Sequence, residues 1–377
     1  MPEHLPNDVA ELERRIAQLV RTELEPLEQE LDPLVDSIPA ALADDVRQRS
    51  QVHGLWGLSL PSALGGSDAS RLARVVAREA LAATNLRLAR LVLAPEPGPL
   101  AAATDELRER YLLPVVRGEK RCAFAFTEPA DGTKPTTARR EGDAFVLDGE
   151  KAWVSGGDEA DLFTVVARIE GTSGAALFVV DRTDAGVGVG EPFRSLDGSS
   201  HTTLRLTGVR LAPDRLLGAP GEGMPRALRS IDEARLELAA EAVGAALWAI
   251  EQLALRLCAP HRSGTPLAER EGVRLRYAEL RILAYGARST LYRTARLPEE
   301  GDGARYEIMS TKVLASEAAG RIVDEAVQLS GGRALVVGHP LERLYRRVRA
   351  MRLAEGANDL LRLHLARAHL ERSSGRL

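Results

Sequence analysis

A single carboxylate near the carboxyl-terminal end of the chain has a setting in which it could act as a base. Glu355 follows the apolar pair Leu353-Ala354 and precedes Gly356, between two segments that are predicted to be short helices. Burial beside apolar groups raises the pKa of a carboxylate and makes it a better proton acceptor. A carboxylate is also favoured in solvent near the start of a helix. From these residues alone, both interpretations remain open.

Two other segments carry hydroxyl groups where a cofactor could bind. Thr127–Thr133 leaves a predicted strand and turns through a proline and a glycine, which exposes backbone N–H groups and two hydroxyls. Lys151–Gly157 places Trp153 and Ser155 two residues apart, and therefore on one face of a strand. The first segment could cradle the polar edge of a cofactor or be a surface turn, and a buried tryptophan would explain the second equally well.

The other polar motifs favour structural interpretations. Ala185–Gly190 is rich in glycine but does not join a strand to a helix, so we interpret it as a turn that enters a strand rather than a phosphate loop. His364 and His369 lie five residues apart on an arginine-rich helix and are expected in solvent. Cys122 and Cys258 have no metal-type spacing and are expected to be buried thiols. We predict no bound metal.

The composition argues against several classes of function. The 377 residues include 28% charged and 4% aromatic residues and have a net charge of −4, which does not suggest nucleic-acid binding. The longest apolar run, 238–257, is interrupted by Glu241 and Glu251, so we predict no membrane span. The amino-terminal residues have no apolar signal core, and we expect a cytoplasmic protein.

The elements that must position these residues change character twice along the chain. An Ala-, Leu-, Glu- and Arg-rich helical pattern occupies 9–116, with breaks at Pro61, Gly65-Gly66 and 95–99. Between 121 and 217 the hydrophobic period shifts toward two, which is typical of strands. The predicted strands are 122–126, 144–147, 162–167, 176–180 and 203–207.

After Gly223 the pattern is helical again. Apolar residues at 239, 243, 246, 250, 253 and 257 form one stripe of a long helix. Further helices are predicted over 269–296, 304–329, 341–351 and 358–372. We therefore predict an α+β fold with an N-terminal helical domain (1–120), a middle β-barrel-like domain (121–219), built as a small barrel or two packed sheets, and a C-terminal antiparallel four-helix bundle (220–377).

The order and spacing of seven segments resemble the acyl-CoA dehydrogenase family over almost the whole chain. The matching segments are Thr127-Glu-Pro129, Lys151–Gly157, Gly208–Pro213 with Leu216–Gly218, Gly221–Met224, Asp232 with Arg235, Asp324–Gly332, and Glu355-Gly356. The last pair falls on the Glu-Gly pair that carries the catalytic base in most members.

The resemblance implies a noncovalent FAD and assigns residues to it. Phe124, Phe126, Thr127, Trp153 and Ser155 fall on positions around the flavin ring, with Ser155 near N5. Positions that serve the cofactor, partly in a neighbouring subunit, are Arg262, Gln328, Gly331, Gly332 and Asp359. Positions on the substrate side are Asp232, Arg235 and Gly356, and Thr133 falls on a position that touches both molecules.

The reaction that the resemblance implies is α,β-dehydrogenation of an acyl thioester to the trans-2-enoyl thioester. Glu355 would remove the α-proton, donors that include its own backbone N–H would stabilise the carbonyl oxygen, and the β-hydrogen would leave as hydride to FAD. Electron-transferring flavoprotein is the expected acceptor, and a homodimer or homotetramer is the expected assembly.

Several positions depart from the family's pattern. Lys134 stands where Asp is usual, 262–266 lacks a Phe, Ala354 replaces an aromatic residue, and Arg347 replaces an acidic one. Whether the substrate is an acyl-CoA or an acyl-carrier-protein thioester stays open. Two alternatives also remain: a flavin monooxygenase on the same scaffold, which generally lacks the base, and a non-catalytic flavin-binding or nucleic-acid-associated protein, which would be expected to carry a basic C-terminal extension.

Overall fold

The computed structural model describes residues 4–130, 134–172, 174–298 and 304–372. They form two compact units. Of these residues, the helical unit contains 4–61, 66–94, 232–298 and 304–372, and the β unit contains 62–65, 95–130, 134–172 and 174–231. The helices at the two ends of the chain thus belong to one unit, although they are far apart in sequence.

The described helices and strands follow one another in the order that the hydrophobic patterns predict, helices first, then strands, then helices. The helices are α1 (Asn7–Leu19), α2 (Glu25–Glu28), α3 (Ala40–Val52), α4 (Arg71–Ala82), α5 (Asp105–Leu107), α6 (Leu113–Val116), α7 (Gly223–Cys258), α8 (Glu271–Ala295), α9 (Arg305–Ser330), α10 (Pro340–Met351) and α11 (Asn358–Arg372). The strands are β1 (Cys122–Ala125), β2 (Thr137–Glu141), β3 (Ala144–Ser155), β4 (Leu162–Ile169), β5 (Ala175–Asp181), β6 (Val187–Val189), β7 (Phe193–Arg194) and β8 (Ser200–Leu211).

One hydrophobic core joins the helices of the helical unit. Ile16 of α1, Val76 of α4, Ala246 of α7, Leu291 of α8 and Ile322 of α9 are all buried in it. The ends of these helices carry local stop and start signals: Ser70 caps α4 by accepting a hydrogen bond from the Ala73 N–H, and α9 ends at Gly331, whose φ is +82°. The four bundle helices predicted after α7 are observed within two residues of their predicted bounds.

The long apolar helix α7 is, in the described part of the chain, the one helix long and apolar enough to cross a membrane by length and composition. Its apolar stripe instead packs in the core, where Ala239, Val243, Ala246, Ile250 and Leu253 are buried. A core helix of a globular protein passes the same test. The prediction that Cys258 is buried is wrong: it is exposed, because it lies at the end of α7 beyond the last buried residue of the stripe.

The described strands of the β unit form one eight-stranded curled sheet, as the barrel-like prediction requires. Its order is β1-β4-β2-β3-β8-β6, with β5 also paired to β4 and β7 to β8. The strands predicted from their apolar runs all lie in it, and the segment after Ala185-Gly186 enters strand β6 as expected. Strand β2 was not predicted because its sequence, Thr-Ala-Arg-Arg-Glu, has three charged residues and becomes a strand only by pairing with β3 and β4.

Candidate functional site

Glu355 lies on a tight turn between α10 and α11. The backbone is left-handed at two successive residues, with φ of +53° at Glu355 and +95° at Gly356. This region suits glycine but costs a residue with a side chain roughly 1–2 kcal/mol. Such a conformation persists only where surrounding contacts determine it, and strained residues of this kind concentrate at functional sites.

Two cations hold the backbone of this turn in the helical unit. Arg235 Nε donates to the Glu355 carbonyl oxygen at 2.9 Å, and Lys312 Nζ donates to the Gly356 carbonyl oxygen at 2.9 Å. Arg235 is itself fixed by Asp232, whose other oxygen accepts a hydrogen bond from Arg305. Asp232 and Arg235 are predicted to face the substrate. Both are buried; Arg235 contacts the turn and Asp232, and Asp232 contacts Arg235 and Arg305.

The Glu355 carboxylate has the properties that a general base needs. No residue in the described part of the chain donates a hydrogen bond to it. Glu355 is exposed to solvent, yet the protein around its carboxylate makes desolvation the largest influence on it, which raises its pKa; Arg235 and Lys312 act in the opposite direction. The Glu355 backbone N–H likewise makes no hydrogen bond within the described residues, so it can serve an oxyanion.

The Thr127 turn in the β unit is fixed by an ion pair between the buried Lys151 and the partly exposed Glu128. Lys151 is 1% exposed and donates to Glu128 at 2.6 Å and to the Phe126 carbonyl oxygen at 3.2 Å. Glu128 also accepts hydrogen bonds from the N–H and hydroxyl of Thr136, and the Ala152 N–H donates to the Thr127 carbonyl at 2.8 Å. These contacts leave Thr127 exposed on a turn that cannot easily rearrange.

Strand β3 presents a flat aromatic surface beside the same turn. A register shift between Lys151 and Val154 places Trp153 in the left-handed region, with φ of +56°, and leaves it 59% exposed. Trp153 packs edge-on against Phe193 and His201. Ser155 lies next to it, and its hydroxyl is 3.1 Å from His201 Nδ1.

Phe124 and Phe126 add a second aromatic pair in the β unit. Their ring centroids are 5.7 Å apart, and both rings are half-buried. An exposed indole with a neighbouring hydroxyl, beside a turn of backbone polar groups, is a chemically suitable set for the aromatic ring and polar edge of a flavin. Thr133, the residue predicted to touch both cofactor and substrate, lies outside the described residues.

Most of the residues predicted to serve a neighbouring subunit's cofactor cluster at the end of α9. Gln328, Gly331 and Gly332 line a surface cavity of about 450 Å³ together with Tyr345 and Arg346. Arg262 is exposed in the connection between α7 and α8 and does not line this cavity. Asp359 is exposed in the first turn of α11, where it accepts a hydrogen bond from Arg362.

The sequence motifs did not predict site roles for Lys312, Asn358, Glu128 or His201. One signal could have found two of the supporting groups. The chain has 50 basic residues but only four lysines, and two of these, Lys151 and Lys312, are the buried cations under the Thr127 and Glu355 turns. A lysine kept in a chain that otherwise uses arginine indicates a site where a compact ammonium is required.

Comparison with known proteins agrees with this arrangement. The chain matches the family models for the acyl-CoA dehydrogenase N-terminal domain over residues 6–119, middle domain over 123–209 and C-terminal domain over 221–370. It is 31% identical over 342 residues to human mitochondrial short-chain specific acyl-CoA dehydrogenase, covering 85% of this chain and 81% of the relative.

Two bacterial relatives carry reductase names. The chain is 29% identical over 355 residues to a 3-(aryl)acrylate reductase of Clostridium sporogenes, covering 90% of this chain and 94% of the relative. It is 27% identical over 329 residues to the CarC subunit of the caffeyl-CoA reductase-Etf complex of Acetobacterium woodii, covering 84% and 87%.

The fold agrees with that of solved structures. A probable acyl-CoA dehydrogenase from Mycobacterium abscessus superposes with a TM-score of 0.85 at 26% identity, covering 96% of this chain and 98% of that one. Sequence motifs, domain models and fold therefore lead to one assignment. The chain belongs to the acyl-CoA dehydrogenase family, FAD-dependent oxidoreductases that act on CH–CH groups.

Proposed function

We propose that this protein interconverts an acyl thioester and its trans-2-enoyl thioester, with Glu355 as the base that removes the α-proton. The observation that carries the proposal is the Glu355 carboxylate, which has a raised pKa and no hydrogen-bond donor among the described residues. A carboxylate in this state gains more by accepting a proton than one that is solvated or paired.

The residues divide the chemistry between them. Glu355 holds the abstracted proton on its carboxylate, and its backbone N–H is available to the thioester carbonyl oxygen as negative charge develops there. Phe124, Phe126, Thr127, Trp153 and Ser155 would hold the flavin ring, and Thr133 would contact both molecules. FAD, when bound, supplies the acceptor for the β-hydrogen as hydride.

The names of relatives support a substrate class and an electron acceptor. Human short-chain acyl-CoA dehydrogenase and the caffeyl-CoA reductase subunit support an acyl-CoA substrate, and the name of the latter's complex supports electron-transferring flavoprotein as partner. Acyl-carrier protein remains the alternative to CoA as the carrier of the acyl group. The monooxygenase alternative is disfavoured because Glu355 is present and suitably placed.

The cofactor provides the first test. Purified protein should carry noncovalent FAD or bind it when supplied, with the absorption spectrum of a protein-bound flavin. The Trp153 and Ser155 surface motivates this expectation. A colourless protein that shows no FAD binding by fluorescence titration would contradict the proposed function.

The second test removes the base. Glu355→Gln keeps the size and the backbone N–H of the residue but cannot accept the proton. The variant should stay yellow and bind thioesters, while anaerobic flavin bleaching by acyl-CoA and acyl-carrier thioesters slows by about 10²–10⁴. Reoxidation by the matching enoyl thioesters should slow equally, since the same proton is transferred in reverse.

A matched substitution controls for loss of a carboxylate in itself. Glu279→Gln removes a carboxylate that is 64% exposed and pairs with Arg321 on the surface. This variant should bleach at the rate of the wild type. If Glu355→Gln also does so, Glu355 is not the base.

A further inference from the structure

Lys312 is an unusual residue for the middle of a bundle helix. It lies in α9, is 0% exposed, and its pKa is lowered to about 8, mainly by burial. A buried ammonium costs several kcal/mol unless its hydrogens are paired. Nothing in the packing of α9 requires that cost, because an apolar side chain of similar volume would also fill the space.

The hydrogen bonds of Lys312 lead to the Glu355 turn. Nζ donates to the Gly356 carbonyl oxygen at 2.9 Å and to Asn358 Oδ1 at 2.8 Å. Asn358 is also buried, and its amide nitrogen donates to Ser316 and Glu317, which fixes its orientation. Lys312 is thus anchored to the carbonyl of Gly356, the residue after Glu355, and to the first residue of α11.

Two consecutive carbonyls of the strained turn therefore point at two cations, Glu355 toward Arg235 and Gly356 toward Lys312. This pairing compensates for the left-handed backbone at Glu355 and fixes the direction in which its side chain leaves the turn. The hydrogens of Lys312 go to a carbonyl and an amide rather than to the carboxylate. Its charge acts on Glu355 only through space, where it opposes the effect of burial.

We propose that Lys312 is a positioning residue for the reaction: it fixes the turn that presents Glu355 and places a positive charge near the Glu355 carboxylate. The proposal rests on the proposed function of Glu355. The charged groups that influence Lys312 are Arg235, Glu355 and Glu317. Arg235 remains in place when Lys312 is replaced, so the effect of Lys312 is separable from it.

The activity experiment compares the pH dependence of flavin bleaching in wild type, Lys312→Met, Lys312→Arg and a control variant, Thr311→Val. Lys312→Met should lower the rate at its optimum by about 100-fold, as expected for a displaced catalytic group, and should move the acidic limb to higher pH by about one unit. Lys312→Arg keeps the charge but not the compact shape, so its rate should fall while its acidic limb stays at the wild-type pH. If Lys312→Met does not fold, Lys312→Gln, which is polar but uncharged, takes its place with the same expected shift.

Thr311→Val is the matched control. Thr311 is the buried neighbour of Lys312 in α9, and its hydroxyl pairs with that of Thr294, away from the turn. Its replacement perturbs the same helix without touching Glu355, so the acidic limb should not move. A Lys312→Met limb at the wild-type pH, or a rate no lower than that of Thr311→Val, would overturn the proposal.

A second readout needs no thioester. Because its folded pKa is raised, Glu355 stabilises the fold below its unfolded pKa and loses this contribution as pH rises through the folded pKa. We call the pH range over which this contribution is lost the pH window of Glu355. It is measured as the pH dependence of the difference in unfolding temperature between Glu355→Gln and the same protein with Glu355. The window should lie at higher pH in the Lys312→Met background than in wild type, and coincident windows would refute the coupling. Wild-type protein that never bleaches while the windows differ would instead refute only the proposed function.

Discussion

At the scale of single residues, the two buried lysines are the most informative groups in the chain. Each donates to a backbone carbonyl and to one side chain: Lys151 to Phe126 and Glu128, Lys312 to Gly356 and Asn358. An ammonium reaches two acceptors from a narrow space, whereas a guanidinium needs a broad planar one. The pattern explains why these positions differ from the arginine-rich remainder of the chain.

The ionisation of Lys312 should be visible in stability. Its folded pKa of about 8 lies below the ordinary value of 10.5, so between these limits the unfolded chain binds a proton that the folded chain does not. The free energy of unfolding should therefore rise as pH increases from 8 to 10.5, by about 3 kcal/mol from this residue. Denaturant unfolding across this range should show the rise reduced in Lys312→Met, and an equal rise in both proteins would contradict the low pKa.

At the scale of elements, the turn after β1 depends on strand β3 for its shape. Lys151, Glu128 and Thr136 tie the turn to β3 and to the start of β2, and the bulge in β3 aims Trp153 outward. The cofactor surface is therefore built by pairing of strands that are separate in sequence. Its rigidity should matter for binding FAD more than for folding the sheet.

Lys151→Met tests this dependence. The substitution leaves Glu128 and the Phe126 carbonyl without their ammonium partner, and the turn should loosen. We expect FAD to bind about tenfold more weakly, a loss of about 1.4 kcal/mol, while the circular dichroism of the β unit is retained. Arg205→Met, which breaks an exposed pair with Glu150 in the same unit, is the control and should bind FAD as wild type does. Unchanged FAD affinity in Lys151→Met would show that the turn is held by other contacts.

At the scale of the whole molecule, the surface near α9 indicates assembly. Leu335, Val336 and Val337 are 60–68% exposed and begin three residues after Gly332, close to the cavity at Gln328. Three adjacent exposed apolar residues are unusual on a monomer and typical of an interaction surface. We propose a homodimer or homotetramer in which this surface and Arg262 serve a neighbouring subunit's FAD.

Arg262→Ala combined with Gln328→Ala should weaken FAD retention without unfolding the bundle, because both side chains are exposed. Three measurements separate the effects: FAD content after gel filtration reports FAD retention, light scattering reports the mass of the assembly, and thermal unfolding reports stability. Arg321→Ala is the control: it replaces an exposed residue of α9, the helix that carries Gln328. A stable monomer that retains FAD fully would refute the shared site.

A cytoplasmic location stays a prediction that fractionation can test.

The sequence by itself determined the order and type of most elements and the family. Strands such as β8 and helices such as α9 carry apolar residues at periods that only one secondary structure can bury. The motifs at Thr127, Trp153 and Glu355 are local, so their spacing could be recognised without coordinates. β2 escaped prediction because its pairing with β3 and β4, rather than its composition, makes it a strand.

Tertiary structure alone decided which groups support the candidate base. Lys312 and Gly356 are 44 residues apart, and Arg235 and Glu355 are 120 apart. A lysine in a helical pattern is normally solvated, and the chain gives no local sign that this one is buried against a strained turn. The left-handed backbone of Glu355 and the desolvation that raises its pKa both arise from packing between elements distant in sequence. For that reason the choice between a solvated carboxylate and a base, open from the residues, could be argued only from the folded chain.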